Sequence, residues 1–198
     1  MWLLKNTLMS VRTYPDVPRV YLDMDGVVAD FEKGMNEAHD GIKYGMTAKR
    51  FKVIPGSYVN LDPVPGAIDG VHALLELGYF VMILTKIPSE NPYAASEKIV
   101  WLKRHLPILE DLIIITPDKG CIGTSRDTLV DDFPEWANAH NFPGQIIQFG
   151  GQPKLDEYVL RAGHLWAKNW STLIEMFKEL KLPSSKPDHR DQRCPLTR

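Results

Sequence analysis

Short apolar runs recur along the chain, most of them followed by a polar or glycine-bearing break and then by apolar residues spaced three or four apart. The spacing predicts buried strands at 19–24, 79–84, 112–115, 128–131 and 146–149, because runs of four to six bounded by turn residues suit strands with both faces covered. Asp30-Phe31-Glu32 opens a helical pattern in which Asp30 can cap the exposed N–H groups. A second helix starts at Pro65-Gly66, carries Ile68, Val71, Leu74 and Leu75 on one face, and closes at Gly78. A third follows Asn91-Pro92 through Ile99, Leu102 and Leu106 until Pro107 stops it, helical segments lie between the fourth and fifth strands, and a last helix covers 171–180. Strands alternating with helices imply an α/β fold, a mostly parallel sheet covered on both faces.

The period fails between residues 34 and 62, where Gly41, Gly45, Pro55 and Gly56 interrupt short apolar groups. A small cap inserted after the first strand fits that stretch, which divides the chain into a core of 1–33 and 63–182, a cap of 34–62, and a polar, proline-interrupted tail of 183–198 expected to be disordered. At 198 residues, one substantial core is expected.

Composition narrows the class further. Hydrophobic residues are 44% and charged residues 24% of the chain, the balance of a soluble globule. With 23 Lys+Arg against 25 Asp+Glu, and no block of one sign, a surface for a nucleic-acid polymer is not expected. MWLLKNTLMS has only four apolar residues before Lys5 and no small-residue cleavage site, and no span reaches the ~20 apolar residues of a membrane helix. Cys121 and Cys194 stand outside any CxxC pattern. A cytoplasmic protein without membrane contacts, monomeric or homodimeric, is the expectation.

Candidate chemistry falls at the carboxyl ends of the predicted strands, where open α/β sheets bind ligands. Asp23-Met24-Asp25-Gly26 ends the first, Thr85-Lys86 the second, Lys119 follows the third, and Asp131-Asp132 ends the fourth. Carboxylates two apart on a strand face one side, so Asp23 and Asp25 can address one reacting group while Gly26 allows the turn behind them. Taken alone, DxDG is better explained by an acidic turn, whereas a helix cap before Phe133-Pro134-Glu135 explains one aspartate of Asp131-Asp132 more readily than two. Four acids at one place need a cation, and hard carboxylate oxygens favour Mg2+. Thr85 and Lys119 suit the oxygens of a phosphoryl group.

The order DxDG, Thr, Lys, DD resembles the haloacid dehalogenase superfamily, and Asp25 points to its phosphatase branch. DMDGVVADFE at 23–32, LDPVPGAIDGV at 61–71, ILTKIP at 83–88, TPDK at 116–119 and LVDDFPE at 129–135 are similar to the 5′(3′)-deoxyribonucleotidase family, with weaker support from 166–180. The resemblance implies a Rossmann-like three-layer fold and a Mg2+-dependent phosphatase working through an aspartyl-phosphate, with a nucleoside monophosphate as substrate. It makes Asp23 the nucleophile, Asp25 the general acid/base, Thr85 and Lys119 the phosphate holders, and Asp132, supported by Asp131, the outer metal ligand beside Asp23 and the carbonyl of Asp25. Phe31 matches a pocket phenylalanine, and is equally well read as part of the insertion's own core. Tyr44, Phe51 and Tyr58 are expected in that small core more than against a base. The chain departs from the family at Phe133, where DDR is usual, at Lys86, where serine is common, and in its shorter insertion. These departures leave another small phosphoester, such as a sugar phosphate, or a non-catalytic binding module, as alternatives.

Overall fold

The computed structural model describes residues 17–40, 45–151 and 165–180. Its centre is a sheet of six parallel strands, β1 (Arg19–Leu22), β2 (Phe80–Thr85), β3 (Ile113–Ile115), β4 (Thr128–Asp131), β5 (Gln145–Phe149) and β6 (Leu165–Ala167), in the order β3-β2-β1-β4-β5-β6. From β1 the chain builds outward on one side as far as β3, then crosses back to lay β4 against the other side of β1. The strand order therefore reverses at the β1/β4 pair, and a crevice opens above the carboxyl ends of these two strands. β6 escaped the reading of the pattern: Leu165-Trp166-Ala167 is three residues long, too short for a period to show.

Alternation along β1 assigns its two faces. Val20 and Leu22 join a large cluster with Val81, Ile83, Val130 and Ile147, against which helices α3 (Ala67–Glu76), α4 (Ala94–His105) and α5 (Trp170–Glu179) bury Leu74, Trp101, Leu102, Leu173 and Phe177. Tyr21 points the other way, into a smaller cluster with Leu84, Leu129, Phe142 and Ile146. Between β4 and β5 the described residues hold turns and one 3-10 segment, Ala139–Asn141, instead of longer helices. Leu22 is fully buried at the middle of the sheet. Leu22→Ala should therefore lower stability by about 2–5 kcal/mol, read as a lower urea midpoint.

β1 stops two residues short of its expected end because the backbone coils. The N–H groups of Val28 and Ala29 both return to the carbonyl of Met24, at 3.1 and 2.9 Å. Gly26 adopts φ 76°, and a Cβ there would lie 2.3 Å from an Asp132 carboxylate oxygen, so the turn demands glycine on two counts. Asp30 then accepts the Lys33 N–H at 3.0 Å and caps α1 (Phe31–Asp40).

The proposed 33/34 boundary between core and cap falls inside this helix. Gly34 does not end α1: it is a contact point where a Cβ would come within 2.4 Å of Leu61 Cδ2. Beyond it, α2 (Ala48–Lys52) and the turns up to Asp62 are laced to the rest of the fold. Glu97 accepts the N–H groups of Gly56 and Tyr58 at 2.6 and 3.1 Å, Trp101 Nε1 donates to the Leu61 carbonyl at 2.7 Å, and Asn91 donates to the carbonyls of Lys52 and Ile54. Phe51, Tyr58 and Leu61 belong to the main hydrophobic cluster. Tyr44 and the tail 183–198 lie outside the described residues. Among the described residues no helix is long and apolar enough to cross a membrane.

Candidate active site

The crevice gathers carboxylates from both sides of the strand reversal. Asp23 follows β1, Asp131 ends β4 and Asp132 comes next; each offers an oxygen within 4.8 Å of the other two. Burial and the negative charge of Asp23 push both Asp131 and Asp132 well above the ordinary carboxylate range. Three hard oxygen donors that repel one another in a desolvated place form a site a divalent cation would relieve, and the group fits such an ion.

The acids are not equivalent. Both Asp131 oxygens are engaged, Oδ2 by Lys119 Nζ at 2.7 Å and Oδ1 by the Phe133 N–H at 2.8 Å. Among the described residues no hydrogen-bond donor holds Asp132 in this way, so it offers a ligand oxygen more readily, with Asp131 holding Lys119 in place. The Asp25 carboxylate is not one of the three: it turns aside to Lys98. If Asp25 meets the cation, it is through its carbonyl, as the resemblance implies, and a strand's alternation could not have separated the two groups.

Lys119 is buried, and its ammonium also reaches Asp23 Oδ2 at 2.8 Å. Burial alone would push its proton off; the carboxylates of Asp23 and Asp131 outweigh that and hold the ammonium charged well above the usual lysine range. The backbone is arranged to place it. Lys119 donates its N–H to the carbonyl of Ala137 at 2.7 Å, and Ala137 and Asn138 take the left-handed conformation, φ 52° and 56°, which costs free energy in non-glycine residues.

Thr85 ends β2, buried, with its hydroxyl oxygen 2.8 Å from Lys98 Nζ. Lys86 is exposed at the rim, and among the described residues no carboxylate of the cluster pairs with it. Phe31 packs edge-on against Phe51 at 5.1 Å and tilted over Tyr58 at 6.2 Å. Its ring thus joins insertion to sheet. Phe51 and Tyr58 are buried, but in the main cluster of the sheet and not in a separate small core of the insertion.

Two features were missed. Lys98, fully buried, donates to Asp25 Oδ1 and to Thr85 Oγ1, both at 2.8 Å. The available signal was a lysine four residues before Leu102 and four after Ala94, on the buried face of an amphipathic helix. The second is a wall of side chains from separate segments: the Lys52 ammonium lies 5.2 Å from the Phe31 ring centre and 5.0 Å from that of Trp136, which stacks edge-on with Phe133 at 5.5 Å. Phe31 follows β1 and Trp136 follows β4, so only the sheet order brings them to one lysine.

With this geometry in view, similarity to known proteins narrows the identity. A family model described as 5′ nucleotidase, deoxy (Pyrimidine), cytosolic type C protein matches residues 43–180, a span that holds Thr85, Lys98, Lys119, Asp131 and Asp132. The mitochondrial 5′(3′)-deoxyribonucleotidase of Mus musculus is 28% identical over 192 residues, covering 79% of this chain and 85% of that protein. The cytosolic type of Homo sapiens is 30% identical over 142 residues, covering 58% and 70%. Among solved structures, a haloacid dehalogenase family hydrolase of Deinococcus radiodurans R1, with bound phosphate and sodium, has a TM-score of 0.60 at 11% identity, covering 85% of this chain and 99% of its own. That likeness establishes the same Rossmann-like α/β fold. The chain thus belongs to the deoxy, cytosolic type C 5′ nucleotidase family and is a phosphatase of the 5′-nucleotidase kind.

Proposed function

We propose that the protein is a Mg2+-dependent 5′(3′)-nucleotidase that hydrolyses (deoxy)nucleoside monophosphates through an aspartyl-phosphate on Asp23. The observation that carries this reading is the convergence of Asp23, Asp131 and Asp132 with the buried Lys119 at the β1/β4 reversal. Mg2+ would be held by Asp23, Asp132 and the Asp25 carbonyl, with Asp131 in support, and when bound it would offset negative charge on the phosphoryl group.

In the first half-reaction an Asp23 oxygen forms a bond to phosphorus while the bond to the ester oxygen breaks. The electron pair leaves with that oxygen, which takes the proton of Asp25. In the second, water attacks phosphorus, Asp25 receives its proton, and the bond to Asp23 breaks to release phosphate. The Lys119 ammonium and the Thr85 hydroxyl donate to the phosphoryl oxygens as charge spreads over them.

The cap of 34–62, read as a unit that selects the leaving group, supplies Lys52 to the wall it forms with Phe31 and Trp136. The aromatic surface of Phe31 and Trp136, gathered about Lys52, favours a planar aromatic leaving group over a sugar. Steady-state kinetics with Mg2+ on a panel of deoxy- and ribonucleotides and sugar phosphates tests the assignment. Nucleotides should give kcat/KM values at least about tenfold higher, a margin one stacked ring can supply; preference for a sugar phosphate would sink it. Trp136→Ala should raise KM for nucleotides by roughly tenfold and leave the turnover of an alkyl phosphate, which has no ring to stack, nearly unchanged.

A further inference from the structure

Lys98 stands inside α4 with 0% exposure, and the steps above make no use of it. A lysine so enclosed is costly unless every face of its ammonium is satisfied. Here one N–H goes to Asp25 Oδ1 at 2.8 Å and one to Thr85 Oγ1 at 2.8 Å, while the Tyr58 ring centre lies 4.7 Å away and closes the remaining side. The helix itself is pinned on both sides of this lysine, by Glu97 to the backbone of Gly56 and Tyr58 and by Trp101 to the carbonyl of Leu61. The ammonium is therefore a fixed point, not a mobile tether.

Two consequences follow for groups that the reaction needs. A hydroxyl that accepts from an ammonium must send its own proton elsewhere. For Thr85 the other neighbour is the Lys86 carbonyl at 3.4 Å, a long contact that an entering phosphoryl oxygen can displace. For Asp25, Oδ1 is occupied, and Oδ2 is the oxygen left to meet the leaving group.

We propose that Lys98 is a positioning residue: one buried ammonium sets both which Asp25 oxygen hands over the proton and the direction in which Thr85 donates. The proposal rests on the reading of Asp25 as the general acid. It predicts a loss that grows with the difficulty of the leaving group, because a misplaced acid matters little when the departing oxygen is already a stable anion and greatly when it is strongly basic.

The experiment uses the full chain with Mg2+ and a series of phenyl phosphates from nitro- to methoxy-substituted, followed to an alkyl phosphate. Lys98→Met should lose about tenfold in kcat on the best leaving group and about 100-fold or more on the worst, within the span that acid catalysis supplies. Inhibition by inorganic phosphate should weaken as Thr85 loses its orientation. A lysine that merely holds α4 to the sheet would cost the same factor across the series, and that result, or no loss, overturns the proposal. Asp25→Asn is run alongside. If its own series is flat, the acid assignment falls and takes this one with it; a steep Asp25→Asn series beside a flat Lys98→Met series brings down the role of Lys98 alone. Should Lys98→Met fail to fold, Lys98→Arg carries the same test, since it keeps the charge and moves it: a slope steeper than wild type supports the proposal, and an unchanged slope overturns it.

Discussion

Asp23→Asn should abolish phosphatase turnover, by roughly 10⁴-fold or more, while leaving the fold intact. The magnitude follows from the difference between removing a nucleophile and removing a helper: without an attacking oxygen the two-step route is closed, and what remains is binding and charge stabilisation. The fold should survive because Lys119 keeps Asp131 at 2.7 Å when its 2.8 Å partner Asp23 is neutralised, and because the repulsion Asp23 exerts on Asp131 and Asp132 is relieved. Acid quench after mixing with labelled substrate checks the intermediate directly, as protein-bound phosphate in the wild type and none in the variant. Turnover within tenfold of wild type, with Mg2+ present, would remove Asp23 from the role assigned to it.

Chelation of divalent cations should make the protein less stable as pH rises from the ordinary carboxylate range to about 8, where Asp132 gives up its proton in the folded chain. Burial and the charge of Asp23 raise the folded-state values of Asp131 and Asp132 above those of the unfolded chain. Across that window the folded state binds more protons than the unfolded one, so the stability these two acids contribute is complete at low pH and is lost as pH climbs. Lys119 does not compensate, since its raised value lies above the window and it stays charged in both states throughout. Asp62, exposed and lowered by Lys33, acts in the opposite sense, at the acid end of the scale. A cation held by the cluster offsets the repulsion and should flatten the dependence. Thermal melts at pH 5 and pH 8 should differ by on the order of 5 °C in chelator and by much less with Mg2+. A metal-free protein that is more stable at pH 8 than at pH 5 would contradict the account of the cluster.

Much of this architecture was legible because it is written in local pattern. The apolar runs at β1, β2, β3, β4 and β5 have strand length and turn residues at their ends, and a strand that stops on acid reads as a ligand-binding end once four strand ends carry acid, threonine, lysine and acid in that order. Asp23, Thr85, Lys119, Asp131 and Asp132 lie where that order puts them. Gly34 was silent for a related reason: its demand comes from Leu61, a contact 27 residues away that no local window contains.

Lys98 and the Lys52 wall were harder to see. A lysine in an amphipathic helix is solvated far more often than buried, and only the placement of α4 beneath the turn of β1 and the end of β2 turns it inward. Likewise Phe31, Lys52 and Trp136 are spread over 105 residues, and each looks ordinary by itself.

By itself, then, the sequence determined the elements, the parallel α/β class and the types of group available for chemistry, since strand length, helix period and the residues at strand ends are properties of neighbours along the chain. The tertiary structure decided the division of labour among those groups. Which acid faces the cation site, which one turns to a lysine, and which oxygen is already engaged all depend on distances of 2.7–2.8 Å between residues from different elements. The strength of a charged contact changes steeply over such distances and with the water excluded around it, and both are fixed only when β1, β2, β4 and α4 have packed.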